Sequence, residues 1–389
     1  MATDGLVDPR RPDEGLRLRK ARNLPLPAQG SGGVRPVLAL AFGAAIATAW
    51  VGPALAQPAG PRPLAALVAS GGPVLTGRVL VADRERILSD ERAGAYGASP
   101  VWPWGSVSKQ VAAALVMIEV DRKTLSLDDT VASRWKAFPN AATGSVTVRQ
   151  LLRHTSGLPN PDETPEVGGI PAFYLRPEAG AAPSNADAAG YCAGPAKSPP
   201  ETRFEYNNCD TLVLAGVLEA ATGKTYDRLL DEAIARPLQL NSLRLARPQE
   251  RPIIARADGR AVPPVNLATF GAAGALLGSP EDLVRFDQAL LAKRLVSPAS
   301  TAVMWAGDPA IGYVALGAWS FSAPLKGCPG EVAMIERRGS VDGVQVRNLI
   351  APELGRILVV FTDDAGFEFG ELWQGQGPGY VLASEAFCR

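Results

Sequence analysis

The chain has 389 residues, with 39 Lys plus Arg against 39 Asp plus Glu, 47% hydrophobic residues and a single histidine. A formal charge of zero supplies no surplus of cations to hold a nucleic acid or an anionic membrane surface, so neither is expected as a partner. The lone His154 excludes a zinc site built from several imidazoles, no Walker or dinucleotide-binding glycine loop occurs, and no metal or cofactor is expected.

Residues 1–35 carry seven basic side chains (Arg10, Arg11, Arg17, Arg19, Lys20, Arg22, Arg35) and four acidic ones (Asp4, Asp8, Asp13, Glu14), and no charge occurs from Pro36 to Ala56. The apolar run from Val37 to Val51 is short for a membrane span of about 20 residues and leads to the small-x-small sequence Ala54-Leu55-Ala56. Residues 36–56 are therefore expected to be a signal peptide and 1–35 a basic, disordered extension. This reading leaves 57–389 as one two-lobed domain in the periplasm or outside the cell. The alternative is an uncleaved segment that anchors the chain to a thinned bilayer. Four cysteines, Cys192, Cys209, Cys328 and Cys388, suit an oxidising compartment. Of the three possible connectivities, sequence proximity favours Cys192 with Cys209 and Cys328 with Cys388.

Val79 to Ala82 and Arg86 to Leu88 read as a hairpin broken at Asp83-Arg84. Ser106 opens a helix, since Val107, Val111, Leu115 and Ile118 form one apolar stripe that ends near Arg122. Thr147-Val148-Arg149-Gln150 is a capping box that starts a short helix through His154, stopped by Gly157 and Pro159. From Pro159 to Pro200 the chain is rich in Pro, Gly and Ala, and a long surface excursion is expected there. Leu212 to Ala221 and Tyr226 to Ala235 read as helices, stopped by Gly223 and Pro237. Ser279-Pro280-Glu281-Asp282 combines a cap, a first-turn proline and two acids at the positive helix end, ahead of Leu283, Phe286 and Leu290. Strand-like runs follow at Ala315 to Ser322, Val332 to Arg338, Val344 to Ile350 and Ile357 to Thr362. The order of strands, helices and strands implies an α+β fold. One antiparallel sheet is closed by both ends of the chain (about 60–105 and 300–389), and a helical lobe (about 106–299) is inserted between them.

Three points along this plan carry chemistry. At Ser106-Val107-Ser108-Lys109, residues i and i+3 share a helix face, so the amine can reach the hydroxyl while the positive helix end favours an oxyanion. Such a lysine must be neutral part of the time, which burial and a nearby cation promote. A plain helix cap is the competing reading, and Ser133-Arg134-Trp135-Lys136 repeats the spelling in a break with no long apolar helix behind it. Tyr206-Asn207-Asn208 places a phenol, able to relay a proton, beside an amide that can both donate and accept. Its competing reading is a buried, bonded tyrosine. Arg337-Arg338-Gly339-Ser340 offers a guanidinium for an anionic group and a backbone free of side chain for edge pairing, against a competing reading of solvated strand charge.

In this order Ser106-x-x-Lys109, Tyr206-x-Asn208 and Arg337-Arg338-Gly339 resemble the penicillin-recognising serine hydrolases: class C β-lactamases, DD-peptidases and related esterases. The resemblance extends to Leu151–Pro159, Phe204–Asn208, Gly274–Leu290 and Gly339–Gly343, and covers roughly Leu75 to Asp364. It implies a two-lobed β-lactamase/transpeptidase-like fold with acyl transfer in the cleft. Ser106 would be the nucleophile, Lys109 the acceptor of its proton and Tyr206 the relay to the leaving group. Asn208 would bind the substrate amide, Arg337 could hold a substrate carboxylate, the Gly339 backbone could pair with the substrate edge, and the amides of Ser106 and Ser340 would form the oxyanion hole. The departure lies at Arg337 and Arg338, where the family usually has Lys or His followed by a small residue. Arginine keeps the charge and can grip a carboxylate, but it cannot exchange a proton at neutral pH. His154 belongs, by the same resemblance, to a turn that supports the site. Asp128-Asp129 and Asp363-Asp364 read as solvated caps and turns.

The function expected is an exported serine hydrolase that forms an acyl-enzyme on Ser106 and cleaves a β-lactam or a D-alanyl peptide of peptidoglycan. The alternatives are a carboxylesterase of the same fold and a non-turnover binder of cell-wall peptides or penicillin.

Overall fold

A computed structural model describes residues 60–94, 100–176 and 187–389. The expected signal peptide, its basic extension and a stretch of the 159–200 excursion lie outside the described residues. Along the chain, the strands used below are β1 (Gly77–Asp83), β2 (Ile87–Ala93), β3 (Trp102–Pro103), β4 (Arg244–Leu245) and β5 (Leu276–Gly278), then β6 (Trp319–Pro324), β7 (Glu331–Val341), β8 (Val344–Ala351) and β9 (Arg356–Thr362). The longer helices are α1 (Pro63–Ala69), α2 (Ser108–Asp121), α3 (Asn208–Thr222), α4 (Pro280–Leu291) and α5 (Pro378–Phe387).

A wholly antiparallel sheet runs in the order β6-β7-β8-β9-β1-β2, so the N-terminal hairpin is added beside the C-terminal meander. Its central strands are buried on both faces, which is why they read as continuous apolar runs. Successive side chains alternate between faces. Leu80, Ala82, Ile357, Val359 and Phe361 pack into the cluster shared with α2 and α4, whereas Val79, Val81, Leu358 and Val360 pack with Leu67 of α1 and Ala383 of α5. The chain is thus a mixed fold of an antiparallel sheet between helical layers.

The sequence signals translate locally. Thr147 and Gln150 exchange both bonds of the capping box over the helix Val148–Leu152. Ser279 accepts from the amide of Asp282 at the start of α4, with Pro280 at its first position. Four features differ from expectation. The 106–299 span is not purely helical, because α4 packs on β1 and β9, and β3, β5 and β4 form a second small sheet. The helix from Tyr226 runs past Pro237 to Leu238, through a widened turn at Asp231–Ala235, and stops where Gln239 turns left-handed. The strand expected from Ala315 begins only at Trp319, since Gly317 lies against α2 so closely that a Cβ there would come within 2.8 Å of the Lys109 carbonyl oxygen. The 159–200 excursion is not merely superficial: Phe173, Tyr174 and Cys192 are buried. Cys192 is bonded to Cys209 and Cys328 to Cys388. Among the described residues, no helix is long and apolar enough to cross a membrane.

One buried polar cluster sits between α2, α4 and β8. Asn348 donates to Gln110 at 3.0 Å and to Asp287 Oδ1 at 3.1 Å, while Asp287 Oδ2 finds no partner among the described residues. Burial pushes the Asp287 carboxyl well above the usual carboxylate range. A raised folded-state value means that wild-type stability is fully present below the unfolded value of 3.8 and is lost as pH rises toward the folded one. Asp287→Asn keeps the acceptor for Asn348 and removes the charge. It is expected to raise the melting temperature by about 2–4 °C for each kcal/mol recovered, with a gain over wild type that grows from pH 4 to pH 7 in thermal melts.

Candidate active site

Ser106 lies in a tight turn, Gly105–Val107, that leads directly into α2. The turn is built by its neighbours. Ser108, fully buried, donates to the Gly105 carbonyl at 2.6 Å and accepts from the amide of Leu276 at 3.2 Å, tying the helix start to β5. Gly105 has φ +52°, and a Cβ there would stand 2.8 Å from the amide nitrogen of Ser340. From the other side, a Cβ on Gly339 would stand 2.2 Å from the Trp104 carbonyl oxygen. Both glycines are thus required for the turn and β7 to run side by side. This contact brings the backbone of Ser106 and that of Ser340 to one corner, with the Ser340 side chain exposed.

Lys109, one turn deeper and 2% exposed, donates to Ser106 Oγ at 3.2 Å, to Asn208 Oδ1 at 2.5 Å and to the Ala273 carbonyl at 2.8 Å. Tyr206 donates its hydroxyl to Ser106 Oγ at 2.5 Å, and the Lys109 ammonium lies 4.7 Å from the centre of its ring. The tripeptide is placed by a helix cap. Asn207 accepts from the amide of Cys209 and donates to the carbonyls of Leu158 and Pro159, so Tyr206 stands just outside α3 and Asn208 is its first residue. Asn208 is 6% exposed and turns its Nδ2 to the Tyr174 hydroxyl at 2.7 Å and to Asp162 Oδ1 at 3.2 Å.

Strand parity separates the two arginines. Val332, Met334, Glu336 and Arg338 face the α1/α5 side, and Ile335, Arg337 and Gly339 face Ser106 and its turn. Arg338 is accordingly in a network with Glu336 and Glu371, away from the cleft. Arg337 is 2% exposed. Its Nε donates to the Ser106 carbonyl and its Nη2 to the Tyr206 hydroxyl, both at 2.7 Å, and its guanidinium carbon sits 5.2 Å from the Tyr206 ring centre and 5.1 Å from that of Trp319. All seven residues singled out in the sequence therefore lie in this one cluster. The second spelling, Ser133 to Lys136, does not join it: Ser133 donates to the Thr130 carbonyl at the surface.

His154 adopts φ +55° in the turn after Leu152, with Nδ1 2.9 Å from Asp210 Oδ2 and its ring 4.8 Å from that of Tyr206. Ser156 donates to the other Asp210 oxygen. Burial, then the charges of Lys109 and Arg337, holds the imidazole well below its usual value, so it stays neutral, and burial likewise pushes the Asp210 carboxyl well above the usual carboxylate range. Its partner Asp210 lies in the first turn of α3, and the imidazole backs the Tyr206 ring. Residues that sequence reasoning missed are Asp162, Tyr174, Asp210 and Trp319. None carries a local motif, and their partners lie in other elements.

A family model described as Beta-lactamase matches residues 64–363. Penicillin-binding protein 4 of Amycolatopsis lactamdurans is 32% identical over 144 residues, which are 36% of this chain and 35% of that protein. An unguisins hydrolase of Aspergillus campestris is 25% identical over 296 residues, 66% of this chain and 51% of its own length. The chain thus spans about a third to a half of the curated relatives it matches. Among solved structures, a D-stereospecific amidohydrolase from Streptomyces sp. superposes with a TM-score of 0.64 at 22% identity, covering 84% of this chain and 98% of the other.

Proposed function

Because the chain belongs to the Beta-lactamase family of serine hydrolases, we propose that it forms an acyl-enzyme on Ser106 and hydrolyses amides of the β-lactam or D-alanyl-peptide kind. The observation that carries this reading is the pair of bonds at Ser106 Oγ, one from the Lys109 amine and one from the Tyr206 hydroxyl. In the first step Oγ attacks the substrate carbonyl carbon, a C–O bond forms, and the hydroxyl proton passes to the Lys109/Tyr206 pair. Tyr206 then delivers a proton to the leaving nitrogen as the C–N bond breaks. Water repeats the sequence in reverse: it adds to the ester carbon, gives a proton to the same pair, and Ser106 recovers a proton as the C–Oγ bond breaks. The amides of Ser106 and Ser340 receive the oxyanion, at about 3 kcal/mol per donor in other acyl-transfer enzymes. The relatives' names, a penicillin-binding protein and a hydrolase of unguisins, support penicillin-like ligands and hydrolytic chemistry. The two disulfides support action in an oxidising compartment after export.

A second reading, a carboxylesterase or an amidase of uncharged substrates, is favoured by one observation. Arg337 is buried and commits two of its donors to the Tyr206 hydroxyl and the Ser106 carbonyl, so it is poorly placed to grip a substrate carboxylate with its full fork. Intact-mass analysis after incubation with penicillin, a D-alanyl-D-alanine peptide and a short-chain nitrophenyl ester tests both. Adducts or turnover with the first two support the leading reading, and turnover of the ester alone supports the second. A lasting adduct without turnover identifies a binder. No reaction at Ser106 with any of the three sinks all of them.

A further inference from the structure

Asn208 is held from two sides. Its Oδ1 accepts from Lys109, and its two amide hydrogens go to the Tyr174 hydroxyl and Asp162 Oδ1. Tyr174 donates its own hydroxyl to the same Asp162 oxygen. A carboxylate only accepts, so Asp162 dictates the direction of every bond in this ring. Tyr174 must donate to it, Asn208 must present its NH2, and the Asn208 carbonyl oxygen is left facing Lys109. The opposite orientation of the amide would set an NH2 group against an ammonium.

Tyr174 also reaches the other anchor of Lys109. Its ring lies parallel to that of Phe270, centre to centre 3.9 Å, and Phe270 leads into the turn Gly271–Gly274, whose Ala273 carbonyl accepts from Lys109. Burial, then the charge of Asp162, pushes the Tyr174 phenol well above its usual value, so it remains a donor across the working pH range. Ser106, Tyr206, His154 and Asp210 also act on the ammonium, and they belong to other elements.

We propose that Asp162 and Tyr174, carried by the excursion after His154, are positioning residues for Lys109. By fixing the orientation of the Asn208 amide and bracing the turn that carries Ala273, they hold the amine within reach of Ser106. This inference rests on Ser106 being the nucleophile.

The test compares wild type, Tyr174→Phe, Asp162→Ala and Ser106→Ala with the nitrophenyl ester, reading kcat, KM, their pH profiles and the rate of adduct formation at Ser106. The two positioning variants are expected to form the adduct about tenfold more slowly, the loss of one ordering hydrogen bond, with the deficit in kcat rather than KM. The acidic limb of kcat is expected to move to lower pH, because an ammonium deprived of its Asn208 acceptor releases its proton more readily. A loss of general packing would leave that limb in place, so an unmoved limb overturns the proposal. So does a deficit confined to KM, which would make Tyr174 a substrate contact. Asp162→Ala, which removes the oxygen shared by Tyr174 and Asn208, gives the reading if Tyr174→Phe does not fold. A wild type that forms no adduct, like Ser106→Ala, overturns the nucleophile assignment itself, and the proposal falls with it.

Discussion

Ser106→Ala is expected to lower kcat by at least about 10⁴-fold and to abolish the covalent adduct, with folding unchanged. The magnitude follows from what is removed. The methyl group fits a turn whose shape is set by Gly105, Ser108 and β7 rather than by the Ser106 hydroxyl. Binding and the backbone donors survive, so residual turnover measures those alone. Lys109→Ala keeps the hydroxyl but removes the proposed acceptor of its proton, and a loss of about 10²–10⁴-fold in the acylation rate is expected. It also leaves Asn208 Oδ1 and the Ala273 carbonyl without the donor they share, so this variant is expected to be less stable than Ser106→Ala. Stopped-flow acylation with the ester, read beside thermal melts, separates the two effects. If Ser106→Ala retained the adduct, the nucleophile would have to be sought elsewhere.

The second large effect is expected at Arg337. Its two 2.7 Å bonds join the Ser106 carbonyl to the Tyr206 hydroxyl, so in the proposed mechanism it is a brace between nucleophile and relay as well as a charge beside them. Arg337→Ala is expected to reduce kcat/KM by about 10²–10³-fold, comparable to the loss of one preorganised donor in another acyl-transfer enzyme. Because the brace serves Tyr206, the loss falls in kcat and is equal for a neutral ester and a substrate bearing a carboxylate. Arg337→Lys keeps the charge on a single point and can reach one of the two partners well, so an intermediate loss is expected. A deficit restricted to carboxylate-bearing substrates and expressed in KM would instead identify Arg337 as an anion anchor. That outcome would favour the β-lactam and D-alanyl-peptide reading over the esterase. Steady-state kinetics with matched charged and neutral substrates decides between them.

The turn and helix around Ser106 were legible in the sequence because their signals are local. A hydroxyl and an amine three residues apart ahead of an apolar helix require no knowledge of the rest of the chain. Tyr206 and Asn208 were ambiguous alone and became informative through their order relative to Ser106 and Gly339. Arg337 and Arg338 were indistinguishable on composition. Only the register of β7, which puts Ile335 with the helices on one side and Met334 with α1 and α5 on the other, says which one enters the cleft. Asp162 and Tyr174 were invisible for a different reason. Their excursion has no periodicity, and their partner Asn208 lies 46 and 34 positions further along. Asp287 likewise sits on a helix whose sequence reads as amphipathic, yet its side chain is fully enclosed.

The bridge from Cys192 to Cys209 bears on how this protein should be prepared. Cys209 directly follows Asn208, so the bond fastens the end of the excursion to the residue that holds Lys109, closing a 17-residue separation worth about 3 kcal/mol. Material purified from a reducing cytosol would have the right mass and sequence and still present a loosened floor beneath its amine. Specific activity should then vary between batches with their oxidation history, and climb on incubation in a glutathione redox buffer. Two laboratories could otherwise measure different rates for one polypeptide and attribute the gap to substrate purity.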